Sequence, residues 1–245
     1  MPVRIQTPTP FEIIPQRRRR PVFHTRSFHH DCFLPMRVFH RFLFPTLVLG
    51  LFLLAAPPAS AQSQATVGEP APAFTLPDTD GTTHRLSDFE GKYVVLEWLN
   101  FECPFVGKHY DSGNMQKLQA SYTDKDVVWL SIVSSAEGKQ GYYPPKEMKA
   151  QMKKHNGDMT AILMDPSGEV GRTYGAKVTP HMYVISPEGT LLYKGGIDDK
   201  PTTDEADIKG ATNYVSNALD QALNGKEVTP KTAAPYGCTI KYAAK

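Results

Sequence analysis

The chain has 245 residues, with 27 Lys and Arg, 25 Asp and Glu, and three cysteines. Residues 1–61 hold eight Arg and two acids, which leaves 19 basic and 23 acidic residues beyond them, a net of −4. That mildly acidic remainder excludes a nucleic-acid binder, which needs clustered Lys and Arg. The two cysteines left in it are too few for a disulfide scaffold.

Residues 1–35 carry Arg17-Arg18-Arg19-Arg20 among scattered His and Pro, with no periodicity. They read as an overlong start or a disordered basic leader, with Met36 as the working initiator; a basic binding arm is the other reading. From Met36 the pattern changes. Met36 to Arg41 is a short basic stretch, Phe42 to Ala56 is a nearly unbroken apolar run of 15 residues, and Ala59-Ser60-Ala61 is a small-residue cleavage site. Residues 36–61 therefore read as a secretory signal peptide. The run is short for a spanning helix, which takes about 20 residues, so an uncleaved anchor is the lesser alternative. The expected product is exported, periplasmic or extracellular, and meets the membrane only through its signal peptide.

Residues 62–225 read as one α/β domain, and residues 226–245 as a tail. A segment from Phe74 to Phe89 precedes the main alternation. Tyr93 to Leu99 is a buried strand, apolar on both faces apart from Glu97. Pro104 suits the first position of a helix, on which Val106, Tyr110, Leu118 and Tyr122 mark one face. Val127 to Val133 is a second buried strand, and Ser134 to Tyr143 is a loop too polar for the core. Pro145 opens a helix through Met148, Met152 and His155. Ala161 to Met164 is a short strand, Met182 to Ile185 another, and Ser186-Pro187-Glu188-Gly189 turns it back into Leu191 to Lys194. Val215, Ala218, Leu219 and Ala222 face one side of a last helix, stopped by Asn224-Gly225. Asp198-Asp199 and Asp204 to Asp207 read as a solvated acidic loop. The tail shows no regular period.

Cys103 sits where the first buried strand runs into a helix start. The partial positive charge and free N–H groups of a helix N-terminus favour thiolate over thiol. A partly exposed cysteine there is expected to be the nucleophile of thiol redox chemistry. Cys238 is the candidate resolving thiol, since without one an attacked disulfide stalls as a mixed disulfide. About a dozen residues of up to roughly 3.3 Å each separate the last helix from it, enough to reach back. A permanent structural Cys103–Cys238 bridge stays open beside a redox-active pair. Glu97, six residues before Cys103, is expected to be raised in pKa by burial and to carry protons, or else to be a partnered structural carboxylate.

Val67-Gly68-Glu69-Pro70 to Phe74-Thr75-Leu76, and Leu86-Ser87-Asp88-Phe89-Glu90-Gly91-Lys92, resemble the opening segment of the alkyl hydroperoxide reductase/thiol-specific antioxidant (redoxin) group. Tyr174-Gly175-Ala176-Lys177-Val178-Thr179-Pro180 to Tyr193-Lys194-Gly195 resembles the second half of a thioredoxin fold. Cys103-Pro104-Phe105-Val106, with Cys238 in Pro235-Tyr236-Gly237-Cys238, is similar to peroxiredoxin-like members of that group. The resemblance implies a central mixed sheet flanked by helices, with an N-terminal extension and an irregular tail.

It also implies that Thr179-Pro180 is the cis-proline loop that faces the cysteine and holds an extended substrate, with His181 beside it to orient substrate or respond to pH. Val106 stands where a thioredoxin has its second cysteine. Leu96 and Asn100 stand where a peroxiredoxin has its Pro and Thr. The implied activity is thiol–disulfide exchange, with a thiol or disulfide protein or a peroxide as substrate and a thiol protein as electron donor. A non-catalytic binding module with a static bridge, and a peroxidase, are the alternatives. No cofactor and no metal site are expected.

Overall fold

The computed structural model describes residues 64–244, so the leader at 1–35 and the signal segment at 36–61 lie outside the described residues. The first elements form a hairpin, β1 (Thr75–Pro77) and β2 (Thr83–Arg85), paired antiparallel. The Asp78 carboxylate closes its turn by accepting the Asp80 and Thr82 N–H groups at 2.8 and 2.9 Å.

β3 (Val94–Trp98) then enters the centre of a five-stranded sheet. β4 (Val128–Val133) and β5 (Ala161–Met164) run parallel to it on one side. Past the short β6 (Val178–Thr179), β7 (His181–Ile185) pairs antiparallel with β3 on the other side, and β8 (Leu191–Gly195) pairs antiparallel with β7. The order β5-β4-β3-β7-β8 is the mixed sheet expected of the thioredoxin arrangement. Every residue of β3 is buried, as a central strand covered on both faces must be.

Strand alternation divides the core in two. Val95 joins Val106 and Tyr110 of α1 (Pro104–Asp111) and Met115 and Tyr122 of α2 (Asn114–Thr123). The same cluster takes in Met148 of α3 (Pro145–Lys154). On the other face Val94, Leu96 and Trp98 pack with Val170 and Tyr174 of α4 (Glu169–Tyr174) and with Phe74 and Leu76. Val215, Ala218, Leu219 and Ala222 of α5 (Tyr214–Leu223) face the first cluster, as their spacing predicts. Burial of each large apolar side chain contributes about 1.5–3 kcal/mol.

Four local features depart from the sequence reading. The face marked by Val106, Tyr110, Leu118 and Tyr122 is carried by two helices, because Gly113 at φ +73° breaks the chain between α1 and α2. α4 has no counterpart in the sequence pattern; its six residues are too few to show a period, and glycines at φ +70° and +65° bound it. The start of the Ser134–Tyr143 loop is buried despite its polarity, since Ser134 donates to Asp165 at 2.6 Å and accepts the Trp98 indole N–H at 3.0 Å. The tail, largely irregular as expected, contributes one short strand, β9 (Cys238–Thr239), which pairs antiparallel with β6. Among the described residues, no helix is long and apolar enough to cross a membrane.

Candidate thiol site

Cys103 is the N-cap of α1, with extended backbone, and Pro104 follows at the first helical position. Its carbonyl accepts the N–H groups of Val106 and Gly107, each at 2.9 Å, which starts the helix. The thiol points across to β6 and donates to the Thr179 carbonyl at 3.1 Å. From the tail, the Cys238 N–H approaches Cys103 Sγ at 3.4 Å.

The strand register accounts for this meeting. Thr179 lies directly opposite Cys238 in the β6–β9 pair, and opposed residues share one face of a sheet. The close approach needs Gly237, whose φ is +140° and whose absent Cβ would collide with the Thr179 carbonyl oxygen. Both cysteines are free thiols. Burial comes first, and the hydrogen bond and charge of Cys103 next, in pushing the Cys238 thiol up to about 12.

Cys103 is only 1% exposed, against the expected partial exposure, because the tail lies over it. The Thr179–Pro180 bond is cis, and the buried Thr179 hydroxyl has no hydrogen-bond partner.

The structure thus brings Cys103, Cys238, Thr179 and Pro180 together, whereas Glu97 and His181 stand apart. Glu97 is fully buried on β3 and accepts from Trp129 Nε1 and Ser131 Oγ, both at 2.9 Å, from Tyr110 at 3.1 Å and from Gln119 at 3.3 Å. Burial raises its pKa against the pull of those four donors. None of these hydrogen bonds reaches either cysteine. The ring of His181 lies 4.7 Å from that of Tyr183, two residues along β7 and on the same face of the sheet. It borders a cleft of about 280 Å³ shared with Gln64, Lys177 and Lys194. Burial, with Lys194 and Lys177 adding, lowers its pKa to about 3.

A second group beside the pair escapes the sequence reading. Lys108, His109 and Asp198 are all buried, although the sequence pattern puts Asp198 in a solvated loop. Lys108 Nζ lies 3.6 Å from Asp198 Oδ2 and donates to the Lys200 carbonyl at 2.7 Å. The Tyr236 hydroxyl donates to Asp198 and sits 3.2 Å from His109 Nε2. Burial lowers His109 to about 4, with Asp198 opposing and Lys108 assisting. The available signal was weak: Lys108 and His109 follow Cys103 by about one and a half helical turns, and Tyr236 precedes Cys238 by two residues.

A mixed sheet whose central strand delivers a helix-capping cysteine opposite a cis-proline loop defines a thioredoxin-like redoxin. The AhpC/TSA family matches residues 67–194, more than half of the chain, and the chain belongs to that family.

Over 135 residues it is 28% identical to "Putative peroxiredoxin Rv2521" of Mycobacterium tuberculosis, covering 55% of this chain and 79% of the relative. It is 23% identical to the thiol-disulfide oxidoreductase ResA of Bacillus cereus, covering 54% of this chain and 71% of ResA. Among solved structures, the hypothetical protein SMc02350 from Sinorhizobium meliloti superposes with a TM-score of 0.62 at 25% identity. That match covers 75% of this chain and 98% of the other.

Proposed function

We propose that the chain is an exported thiol–disulfide oxidoreductase that uses Cys103 as nucleophile and Cys238 as resolving thiol. The observation that carries this reading is the 3.4 Å approach of the Cys238 N–H to Cys103 Sγ, with Cys238 in register opposite Thr179, whose carbonyl accepts the Cys103 thiol. Cys103 gives up its proton and its sulfur attacks a substrate disulfide; one sulfur of the substrate bonds to Cys103, and the other leaves and takes up a proton to become a thiol. Cys238 then loses its proton, its sulfur bonds to Cys103 Sγ, and the second substrate sulfur leaves. The substrate gains two electrons and two protons, the protein holds a Cys103–Cys238 disulfide, and a donor dithiol of the same class returns it to the reduced state. No cofactor is needed for this cycle.

Because the tail covers Cys103, the cycle requires the segment around Cys238 to lift before substrate enters. Thr179 and Pro180 border the pair and are assigned the substrate backbone, while His181 supports that loop from the start of β7. Glu97, raised by burial, is assigned a proton-storing role. The mature chain begins near residue 62, with the redoxin domain over 62–225, the tail over 226–245, and a periplasmic or extracellular destination.

The test is the redox equilibrium of the mature protein. A Cys103–Cys238 disulfide that opens between about −270 and −120 mV supports an exchange catalyst. One that stays closed below about −300 mV supports a static clamp instead, and failure to form any disulfide removes the reading.

A peroxidase is the second reading, favoured by the name of the Mycobacterium tuberculosis relative. There a peroxide oxygen bonds to Cys103 sulfur, an alcohol or water leaves, and Cys238 condenses with the sulfenic acid to release water. Leu96 and Asn100, at the places of the peroxiredoxin Pro and Thr, weigh against it. Peroxide consumption that disappears in Cys103→Ser would promote it.

A further inference from the structure

Lys108, His109 and Asp198 are buried titratable side chains that the exchange reaction does not use, and all three converge on Tyr236. Each proton in the cluster has a direction. The Asn114 amide donates to His109 Nδ1 at 2.9 Å, which leaves the proton of the neutral ring on Nε2. Nε2–H donates to the Tyr236 hydroxyl at 3.2 Å, and that hydroxyl donates its own proton to Asp198 Oδ1. The same oxygen accepts the Lys200 N–H at 2.9 Å, and Lys108 balances the carboxylate from its other side.

The cluster fastens the tail to the loop after β8 through a charge-assisted hydrogen bond to Asp198, and to the first helix through His109. The Tyr236 ring also packs edge-on to Phe105, 5.7 Å between centroids, and under Lys108 Nζ. With only Gly237 between them, Tyr236 and Cys238 are at most about 7 Å apart along the chain. An anchor at Tyr236 therefore leaves the resolving thiol very little slack.

We propose that Tyr236 is a positioning residue for the thiol pair: held between Asp198 and His109, its hydroxyl keeps the Cys238 segment seated over Cys103. The anchor then sets two quantities at once, how well Cys103 is shielded and how readily Cys238 closes on it. The second of these rests on the exchange reaction proposed above.

Tyr236→Phe tests the proposal, because it keeps the ring packing and removes only the hydroxyl. In the reduced protein, alkylation of Cys103 by iodoacetamide is expected to rise about tenfold as the tail opens more often. In glutathione redox buffer, oxidised glutathione first joins Cys103 and releases one glutathione thiol; Cys238 then displaces the second. The equilibrium for that closure is expected to fall about tenfold, as the effective concentration of Cys238 at Cys103 falls.

Tyr122→Phe is the control. It removes a hydroxyl bonded to the Ser216 carbonyl and to Asp220, on α5, and should change neither quantity. Tyr236→Phe values equal to wild type, or equal shifts in Tyr122→Phe, overturn the proposal while leaving the exchange reaction standing. A wild-type protein that forms no disulfide removes the exchange reaction, and alkylation alone then judges the anchor. Should Tyr236→Phe fail to fold, Asn114→Ala frees the His109 tautomer instead. Both shifts are expected there in smaller measure, and their absence counts against the proposal.

Discussion

Thr179 meets both cysteines: its carbonyl accepts the Cys103 thiol at 3.1 Å, and its Cα stands in register opposite Cys238. One residue of a two-residue strand thus joins the helix start to the tail. The seat is narrow, which makes its consequences testable.

Gly237→Ala should unseat the tail. The substitution puts a side chain at φ +140° and drives its Cβ into the Thr179 carbonyl oxygen. Alkylation of Cys103, read by peptide mass spectrometry, should rise about tenfold or more. The main unfolding transition should fall as well, because Ile240 belongs to one core cluster and Tyr236 and Cys238 pack against the other. An unchanged alkylation rate would mean that the tail does not control access.

Lys108 and Asp198 should prove strongly coupled. Removing one partner of a buried pair strands the other charge, so Lys108→Met and Asp198→Asn should each cost about 3–5 kcal/mol in urea unfolding. The double variant should cost well below the sum of the two. Additive losses would show that the 3.6 Å pair contributes no interaction of its own.

Stability should fall in acid through two histidines. His109 and His181 are held at about 4 and about 3 in the folded chain, against 6.5 unfolded. Below pH 6.5 the unfolded chain takes up protons that the folded chain refuses. The stabilisation, fully present above that pH, is then lost as pH drops toward 4 and 3. The losses are about 3 kcal/mol for His109 and about 5 kcal/mol for His181. Glu97 acts in the opposite sense, since its raised pKa favours the folded state in acid. Thermal unfolding from pH 7 to 4 checks the sign, and His109→Gln should flatten the slope.

Glu97→Gln should destabilise the fold. Its carboxylate accepts from Trp129, Ser131, Tyr110 and Gln119, and an amide nitrogen in place of one oxygen would face donors with a donor. About 1–3 kcal/mol is the expected cost in denaturant unfolding. A proton-storing role predicts in addition that the pH profile of thiol exchange shifts, which a purely structural carboxylate would not produce.

The parts of the fold that sequence pattern made legible are those in which a local period reports burial. β3, β4 and β5 are largely apolar runs, and α5 shows its buried face at Val215, Ala218, Leu219 and Ala222. α4 and β9 were invisible because six residues and two residues carry no period. Asp198 misled for a different reason. A carboxylate beside another acid reads as solvated, and only Lys108 and Tyr236, distant along the chain, reverse that.

Chemistry written into neighbouring residues was settled before any folding: a cysteine followed by proline at a strand–helix boundary, a lone acid inside an apolar strand, and the family these segments mark. Tertiary structure alone decided that the tail lies over Cys103, that Cys238 stands opposite Thr179 in a two-residue ladder, and that a buried charge cluster holds Tyr236 in place. Backbone preference acts over a few residues and can be read from order. The fit of the tail onto α1 depends on contacts 135 residues apart, which no local pattern encodes.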